Sequence, residues 1–469
     1  MSSPCTTAAA LLSLLTLSTA QRIGTAIPEV HPRLNTQLCT LAGGCVTRQN
    51  SLVTDSLAHP IHAASDPSVS CTTSPINATL CPDAATCAQN CVLEGIEYGS
   101  IGVLAKDHAL TLRQYLFNGT AYHSVSPRLY LLDPSSTNYE PMRLLNMELS
   151  FDVDVSQLSC GMNGALYLSE MDLSGSRSDL NPAGATYGTG YCDAQCFTTP
   201  PFINGIANLN ASGACCNEMD IWEANSRATV YTPHTCSGVG SFLCSGDECL
   251  RTAAGSGVCD KNGCGINPYG MGNTRFYGPG LTVDSSRPFT VVTQFVSSDG
   301  TAEGELVAIK RVYVQDGEVI PTPAETTDPA VGELDGFDGT ITQEYCEAKN
   351  SSDFLRLGGM RGMGESLKRG MVLIFSIWNS EGDFMDWLDG AEGDNGPCNA
   401  TEGDPANIVR NIPDVSVTFS NIRWGEIGST FNASGSGVES KALSVESGAP
   451  VLASSAGLGL AALLGMLLL

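Results

Sequence analysis

Cysteine limits what this chain can fold into more than any other residue. It occurs 19 times in 469 residues, and one copy, Cys5, precedes a short apolar run, Leu11–Ala20, ending in Ser18-Thr19-Ala20. A run of that length does not span a bilayer, and the small residues at its end form a cleavage pattern, so 1–20 reads as a signal peptide. Its removal leaves 19 − 1 = 18 cysteines, an even number in an oxidising compartment, and nine disulfides are expected. Zinc would need paired Cys-x-x-Cys spacing or a supply of His. Cys81, Cys87 and Cys91, and the adjacent Cys215 and Cys216, lack that spacing, and His occurs only 6 times. No metal and no cofactor is expected.

Such cross-linking suits a loop-rich globular body, and 50 Gly, 24 Pro and only 15% charged residues agree with it. That composition excludes a coiled coil and a disordered acidic chain. Lys plus Arg number 23 against 49 Asp plus Glu, a net charge of −26. A phosphate backbone would be repelled, so nucleic acid is not an expected partner, whereas a neutral glycan is compatible. Sequons at Asn77, Asn118, Asn210, Asn350, Asn399 and Asn432 fit the secretory route.

The C-terminal end carries a second processing signal. Leu458–Leu469 is apolar with no charge after it, and small residues Ser447-Gly448-Ala449 precede it, with Ser436-Gly437 as another attachment point. Residues 450–469 are read as a GPI-anchor signal after a Ser/Gly/Ala-rich spacer at 431–449. The alternative is a retained membrane span. The protein would sit outside the cell, at the surface or wall, as a monomer touching membrane only through the lipid.

Between these ends, residues 21–430 read as one all-β domain. There is no long 3.6-period stretch, but period-2 alternation recurs between Gly, Asn, Asp and Pro. Leu149–Val155 places apolar residues on one face, and Val415, Val417 and Phe419 repeat the pattern. The apolar run Met371–Trp378 suits a strand covered on both sides, and Arg128–Leu132, Ala165–Leu168 and Phe289–Val296 are further strands. Together they predict a sandwich of two antiparallel sheets.

The segment Asn217–Asn225 carries three carboxylates, Glu218, Asp220 and Glu223, spaced by Met219, Ile221 and Trp222 rather than by polar residues. On a regular strand Glu218 and Asp220 share a face and Glu223 points away. One extra residue at a β-bulge reverses that parity and brings all three together. Two carboxyl groups about 5–5.5 Å apart suit a retaining glycoside hydrolase, in which one attacks the anomeric carbon and the other protonates the leaving oxygen. The Asp between them helps hold the two pKa values apart.

In these residues the chain resembles the secreted fungal cellulases of glycoside hydrolase family 7. The resemblance runs through Thr79–Asp83, Ser150–Val155, Asn163–Tyr167, Tyr187–Asp193, Glu218–Asn225, Thr232–His234, Phe276–Gly280 and Phe419–Gly428. It implies a curved β-jelly roll with a long substrate cleft and hydrolysis of a β-1,4-glucan polysaccharide with retention. Glu218 would be the nucleophile, Glu223 the acid/base and Asp220 the assisting carboxylate. It also implies the pairs Cys39–Cys45, Cys71–Cys91, Cys81–Cys87, Cys160–Cys398, Cys192–Cys216, Cys196–Cys215, Cys236–Cys259, Cys244–Cys249 and Cys264–Cys346. Trp378 and Trp387 match cleft-lining tryptophans, on which pyranose C–H faces stack. Asn163, Tyr167, Asp193, Gln195 and His234 match sugar-contacting positions, with a structural role open for His234. Trp378 taken alone reads as core, as do Trp222 and Trp424.

Loops separate internal from terminal attack. Cellobiohydrolases of the family roof the cleft and place Arg beside the departing cellobiose. Here Asn208–Cys215 is short, Gly270 stands at one such Arg position, Ala391–Cys398 has no Arg, and no Trp precedes Trp222. An open-cleft endoglucanase is expected, with a partial lid at Cys244–Cys259, which includes Arg251. The alternatives are a cellobiohydrolase with a partly covered cleft, a wall transglycosylase, and a non-catalytic lectin, which would not need the three carboxylates. No Cys follows Cys398, so the family's small disulfide-bonded cellulose-binding module is not expected.

Overall fold

The alternating segments become strands whose partners lie far away in sequence. The computed structural model describes residues 20–73, 75–250 and 257–431. The signal peptide but for Ala20, the spacer but for Phe431, the C-terminal tail, Asn432 and Arg251 lie outside the described residues. Leu149, Phe151 and Val153 of the Met147–Asp154 strand all enter the core. In Val372–Asn379 both faces are covered: Leu373, Phe375 and Ile377 join the main core, and Val372 and Ile374 join a second cluster with Tyr130 and Tyr167. The remaining expected segments lie in Arg128–Leu132, Met162–Ser169, Phe289–Ser297 and Ser416–Glu426, with Val415 just ahead of the last strand.

Hydrogen bonding is continuous through fourteen strands among the described residues, and the ladder folds into two facing layers. One layer runs Thr229–His234, Glu218–Ala224, Met162–Ser169, Val372–Asn379, Arg128–Leu132, Gly44–Thr54. The other continues Arg33–Thr40, Ser416–Glu426, Met147–Asp154, Phe289–Ser297, Leu306–Gln315, Glu318–Pro321. The long Gly44–Thr54 strand makes the corner: Ser51–Thr54 pair with Arg128–Leu132, and Gly44–Ser51 with Arg33–Thr40. Every pair along this path is antiparallel except Gln37–Cys39 against Arg423–Gly425.

Aromatic side chains fill the space between the layers. Trp222, from the carboxylate strand, meets Phe151 at 6.2 Å and Phe289 at 5.8 Å between ring centroids, and Phe375 meets Phe419 at 5.7 Å. Trp222 is fully buried and Trp424 is 5% exposed, both core as expected. Losing a ring of that size from a closed core costs about 3–5 kcal/mol, so the strand that carries the carboxylates is held firmly from behind.

The nine disulfides are the pairs the resemblance implied. They fit an oxidising, secretory compartment. Cys192–Cys216 and Cys196–Cys215 tie the Asp193 loop to the entry of the carboxylate strand. The strands Arg33–Thr40, Gly44–Thr54 and Leu306–Gln315 went unforeseen, and so did the helix Gly359–Arg369, which buries Met360, Met363, Gly364 and Leu367 against the Leu306–Gln315 strand. Three glycines mask its period, because glycine is a poor helix former. At Gly364 the small residue is required, since a Cβ there would lie 2.7 Å from that of Leu306.

Candidate active site

The carboxylate strand Glu218–Ala224 contains the bulge that the spacing calls for. Against Thr229–His234, Asp220 faces Thr232 but Glu223 faces Val230, so three steps on one strand match two on the other. Against Met162–Ser169, Met219 faces Leu168 and Trp222 faces Leu166, which is the same one-residue excess. Ile221 has a partner in neither ladder. Met219, Ile221, Trp222 and Ala224 all belong to the core. Two consecutive residues on the core face leave Glu218, Asp220 and Glu223 together on the other face.

Neighbouring strands bring the other candidates to that face. Leu166 and Leu168 point into the core, so Asn163, Ala165 and Tyr167 point outward by the period of two. Asn163 sits directly across from Trp378, Ala165 from Glu223, and Glu218 from His234. Trp387, in the short helix Asp386–Asp389, stacks on Trp378 with centroids 6.3 Å apart and an interplanar angle of 27°. Trp387 is 39% exposed, and Trp378 is only half-buried and belongs to none of the core clusters, so it is not the core residue it reads as when taken alone.

Each carboxylate has its own partners. Asn163 Nδ2 donates to Glu223 Oε1 at 2.9 Å, and the Ala194 N–H donates to Glu218 Oε2 at 3.1 Å. His234 Nδ1 lies 3.1 Å from the Asp260 carbonyl and Nε2 lies 3.1 Å from Asp220 Oδ2. Despite burial, which disfavours its charged form, the hydrogen bond to Asp220 and the charges of Asp220 and Glu218 push His234 up to about 10. The imidazolium therefore donates from both nitrogens, and His234 acts on the carboxylates in addition to any sugar. Gly263, at φ 70°, lets the next turn close over it: a Cβ would lie 2.1 Å from Thr232 Cγ2 and 2.8 Å from His234 Cε1.

A chain of polar side chains supports the Asp193 loop. Tyr167 and Tyr191 hydroxyls are 3.1 Å apart, and Tyr191 donates to Asp193 Oδ2 at 2.8 Å. Asp193 Oδ1 accepts from the N–H groups of Gln195 and Cys196, and Gln195 Nε2 donates to the Lys261 carbonyl. Three cations here escaped the sequence reading. Arg128 lies 3.4 Å over the Tyr191 ring and pairs with Asp55, Lys261 Nζ donates to the carbonyls of Ala194 and Gln195, and Arg311 donates to the Ile221 carbonyl. Their signal was absent because each of these contacts joins residues 63 or more positions apart.

Electrostatics separate the two glutamates from ordinary carboxylates. Burial first, then the charge of Asp220, push Glu223 up to about 8, against the Asn163 hydrogen bond and His234. Burial, Asp220 and Asp193 push Glu218 up as well, against His234 and the Ala194 N–H. Such a group titrates in macroscopic steps, and the state with one glutamate ionised and the other protonated is the one a two-carboxylate displacement uses.

The model of the family described as glycosyl hydrolase family 7 matches residues 23–431. The chain belongs to this family. Among relatives within it, an Aspergillus terreus protein named "Probable endo-beta-1,4-glucanase celB" is 56% identical over 423 residues, covering 90% of this chain and 97% of that protein. The solved Humicola insolens endocellulase EGI is 48% identical with a TM-score of 0.81, covering 88% of this chain and all of that one. A family 7 cellobiohydrolase from Daphnia pulex has a TM-score of 0.80 but 35% identity over the same 88% of this chain and all of its own. The family's jelly-roll sandwich is thus the fold of this chain.

The two loops expected to lack Arg meet here. Asn267 Nδ2 donates to the carbonyls of Leu388 and Asn395, and a Cβ on Gly270 would lie 3.4 Å from the Asp394 carbonyl. Neither loop brings an Arg to this junction.

Proposed function

We propose that this protein is a retaining endo-β-1,4-glucanase acting as a monomer on internal bonds of cellulose or a related β-glucan. The bulge that turns Glu218, Asp220 and Glu223 to one face carries this reading. Glu218 attacks the anomeric carbon while Glu223 passes its proton to the departing glycosidic oxygen. Water then gives a proton back to Glu223 and displaces Glu218, so two inversions yield net retention. Asp220, held by His234, lies beside both glutamates, and its charge favours the proton that the pair carries. Trp378 and Trp387 would stack sugar faces, with Asn163, Tyr167, Asp193, Gln195 and His234 around the cleavage point.

Internal attack follows from what the cleft lacks. Neither Gly270 nor Ala391–Cys398 supplies an Arg to hold a cellobiose product. Viscosity of a carboxymethylated cellulose is expected to fall steeply for few reducing ends formed, with the first product in the β configuration by NMR. Cellobiose dominating from the earliest times with little viscosity change would put a cellobiohydrolase in its place. Dominant transfer to added oligosaccharide would make it a transglycosylase.

We place the enzyme outside the cell, tethered by a lipid that replaces the tail near Leu458. Phospholipase treatment of membranes should then release it. A mature protein whose mass still includes Leu458–Leu469 would show a membrane span instead. Of the sequon asparagines described, Asn118, Asn210, Asn350 and Asn399 are exposed and Asn77 half-buried, as glycan attachment requires.

A further inference from the structure

Arg311 is a charged residue where the sandwich should be apolar. It lies in the Leu306–Gln315 strand between the core residues Ile309 and Tyr313, faces the core with them, and is 2% exposed. Both of its hydrogen bonds go to uncharged oxygens: Nε donates to Thr293 Oγ1 at 3.1 Å, and Nη2 crosses between the layers to the Ile221 carbonyl. Its guanidinium lies 4.4 Å from the centroid of Tyr231 and 5.9 Å from that of Trp222. Thr293 is its direct cross-strand neighbour, and Tyr231 comes from the strand beside the carboxylates.

The acceptor gives this arrangement its meaning. Ile221 is the residue left without a ladder partner by the bulge, and a buried carbonyl without a donor is strongly disfavoured. An uncharged donor would satisfy it. A guanidinium does so with a charge-assisted bond and a second, fixed bond to Thr293, which defines where the bulge sits along the strand. Moving the bulge by one residue would turn a different side chain to the core and change the direction of Glu223.

We propose that Arg311 is a positioning residue for the reaction, anchoring the Ile221 bulge so that Glu223 projects beside Glu218. This rests on the glycosidase reading of those two glutamates. Arg311 touches no substrate; it acts through two residues of backbone.

The test compares kcat/KM on a cello-oligosaccharide, whose leaving group needs the proton of Glu223, with that on an aryl cellobioside whose leaving group does not. Misplacing an acid by about 1 Å costs on the order of 10²-fold, so Arg311→Met is expected to lose about that much on the oligosaccharide and much less on the activated substrate. Arg311→Lys, which keeps a donor for Ile221, should recover part of the ratio. Thr293→Val, which keeps Arg311 but releases its Nε, should shift the ratio in the same direction by less, and serves if Arg311→Met does not fold. Equal losses on both substrates, or a lowered melting temperature with an unchanged ratio, would overturn the proposal. Glu223→Gln is measured in parallel: if it too fails to discriminate between the substrates, the acid/base reading falls and takes this proposal with it. If only Glu223→Gln discriminates, the proposal alone is wrong.

Discussion

Glu218→Gln is expected to lower hydrolysis of every β-1,4-glucan by about 10⁴-fold or more, with oligosaccharide binding retained. The amide has the shape of the carboxylate and its oxygen still accepts from the Ala194 N–H. It cannot form the glycosyl ester, so the covalent route is closed. Folding should not suffer, because Glu218 is buried beside the charges of Asp220 and Asp193, which disfavour its ionised form. Reducing-sugar release gives the rate and calorimetry with cellotetraose gives the affinity. Near-normal turnover would remove Glu218 from the role of nucleophile, and lost binding with lost folding would make it a structural residue.

Glu223→Gln is expected to split the reaction into its two steps. The first step needs a proton on Glu223, whose value is held near 8 by burial and by Asp220. In the unmodified enzyme kcat/KM should therefore fall as pH rises through about 8, when the acid ionises. The acid limb, at lower pH, reports the first ionisation of the coupled carboxylates, which leaves one of them ionised for attack. Gln cannot ionise and cannot donate as an acid. Oligosaccharides should lose about 10²–10⁴-fold, activated aryl glycosides should still form the intermediate, and the alkaline limb near pH 8 should vanish for them. Azide needs no general base, so adding it should restore turnover of the intermediate and yield a β-glycosyl azide. Equal loss on both substrate types without azide rescue would assign the acid/base role elsewhere.

Much of this was legible in the chain. Alternation at Leu149–Val155 and the apolar run Met371–Trp378 mark strands because side chains on a pleated ribbon report which face is covered, a property of neighbours two residues apart. The spacing of Glu218, Asp220 and Glu223 demanded a bulge for the same local reason, and the ladders place it at Ile221. The disulfide pairs came through resemblance, since eighteen cysteines by themselves leave the connectivity open. The helix at Gly359–Arg369 was hidden because its glycines carry no hydrophobic signal, while Met360, Met363 and Leu367 gain meaning only once the Leu306–Gln315 strand lies against them.

The sequence by itself determined the all-β class, an even set of cysteines suited to an oxidising compartment and the presence of three carboxylates that a bulge would align. Which groups tune those carboxylates was decided only by tertiary structure. Asn163 stands 60 positions from Glu223, and Arg311 stands 90 from Ile221. Periodicity within a strand says which way a side chain points, but not which strand is paired beside it or which layer closes behind it. Those depend on the Gly44–Thr54 corner that folds the ladder onto itself, and a pKa near 8 for Glu223 exists only once that closure has removed the water.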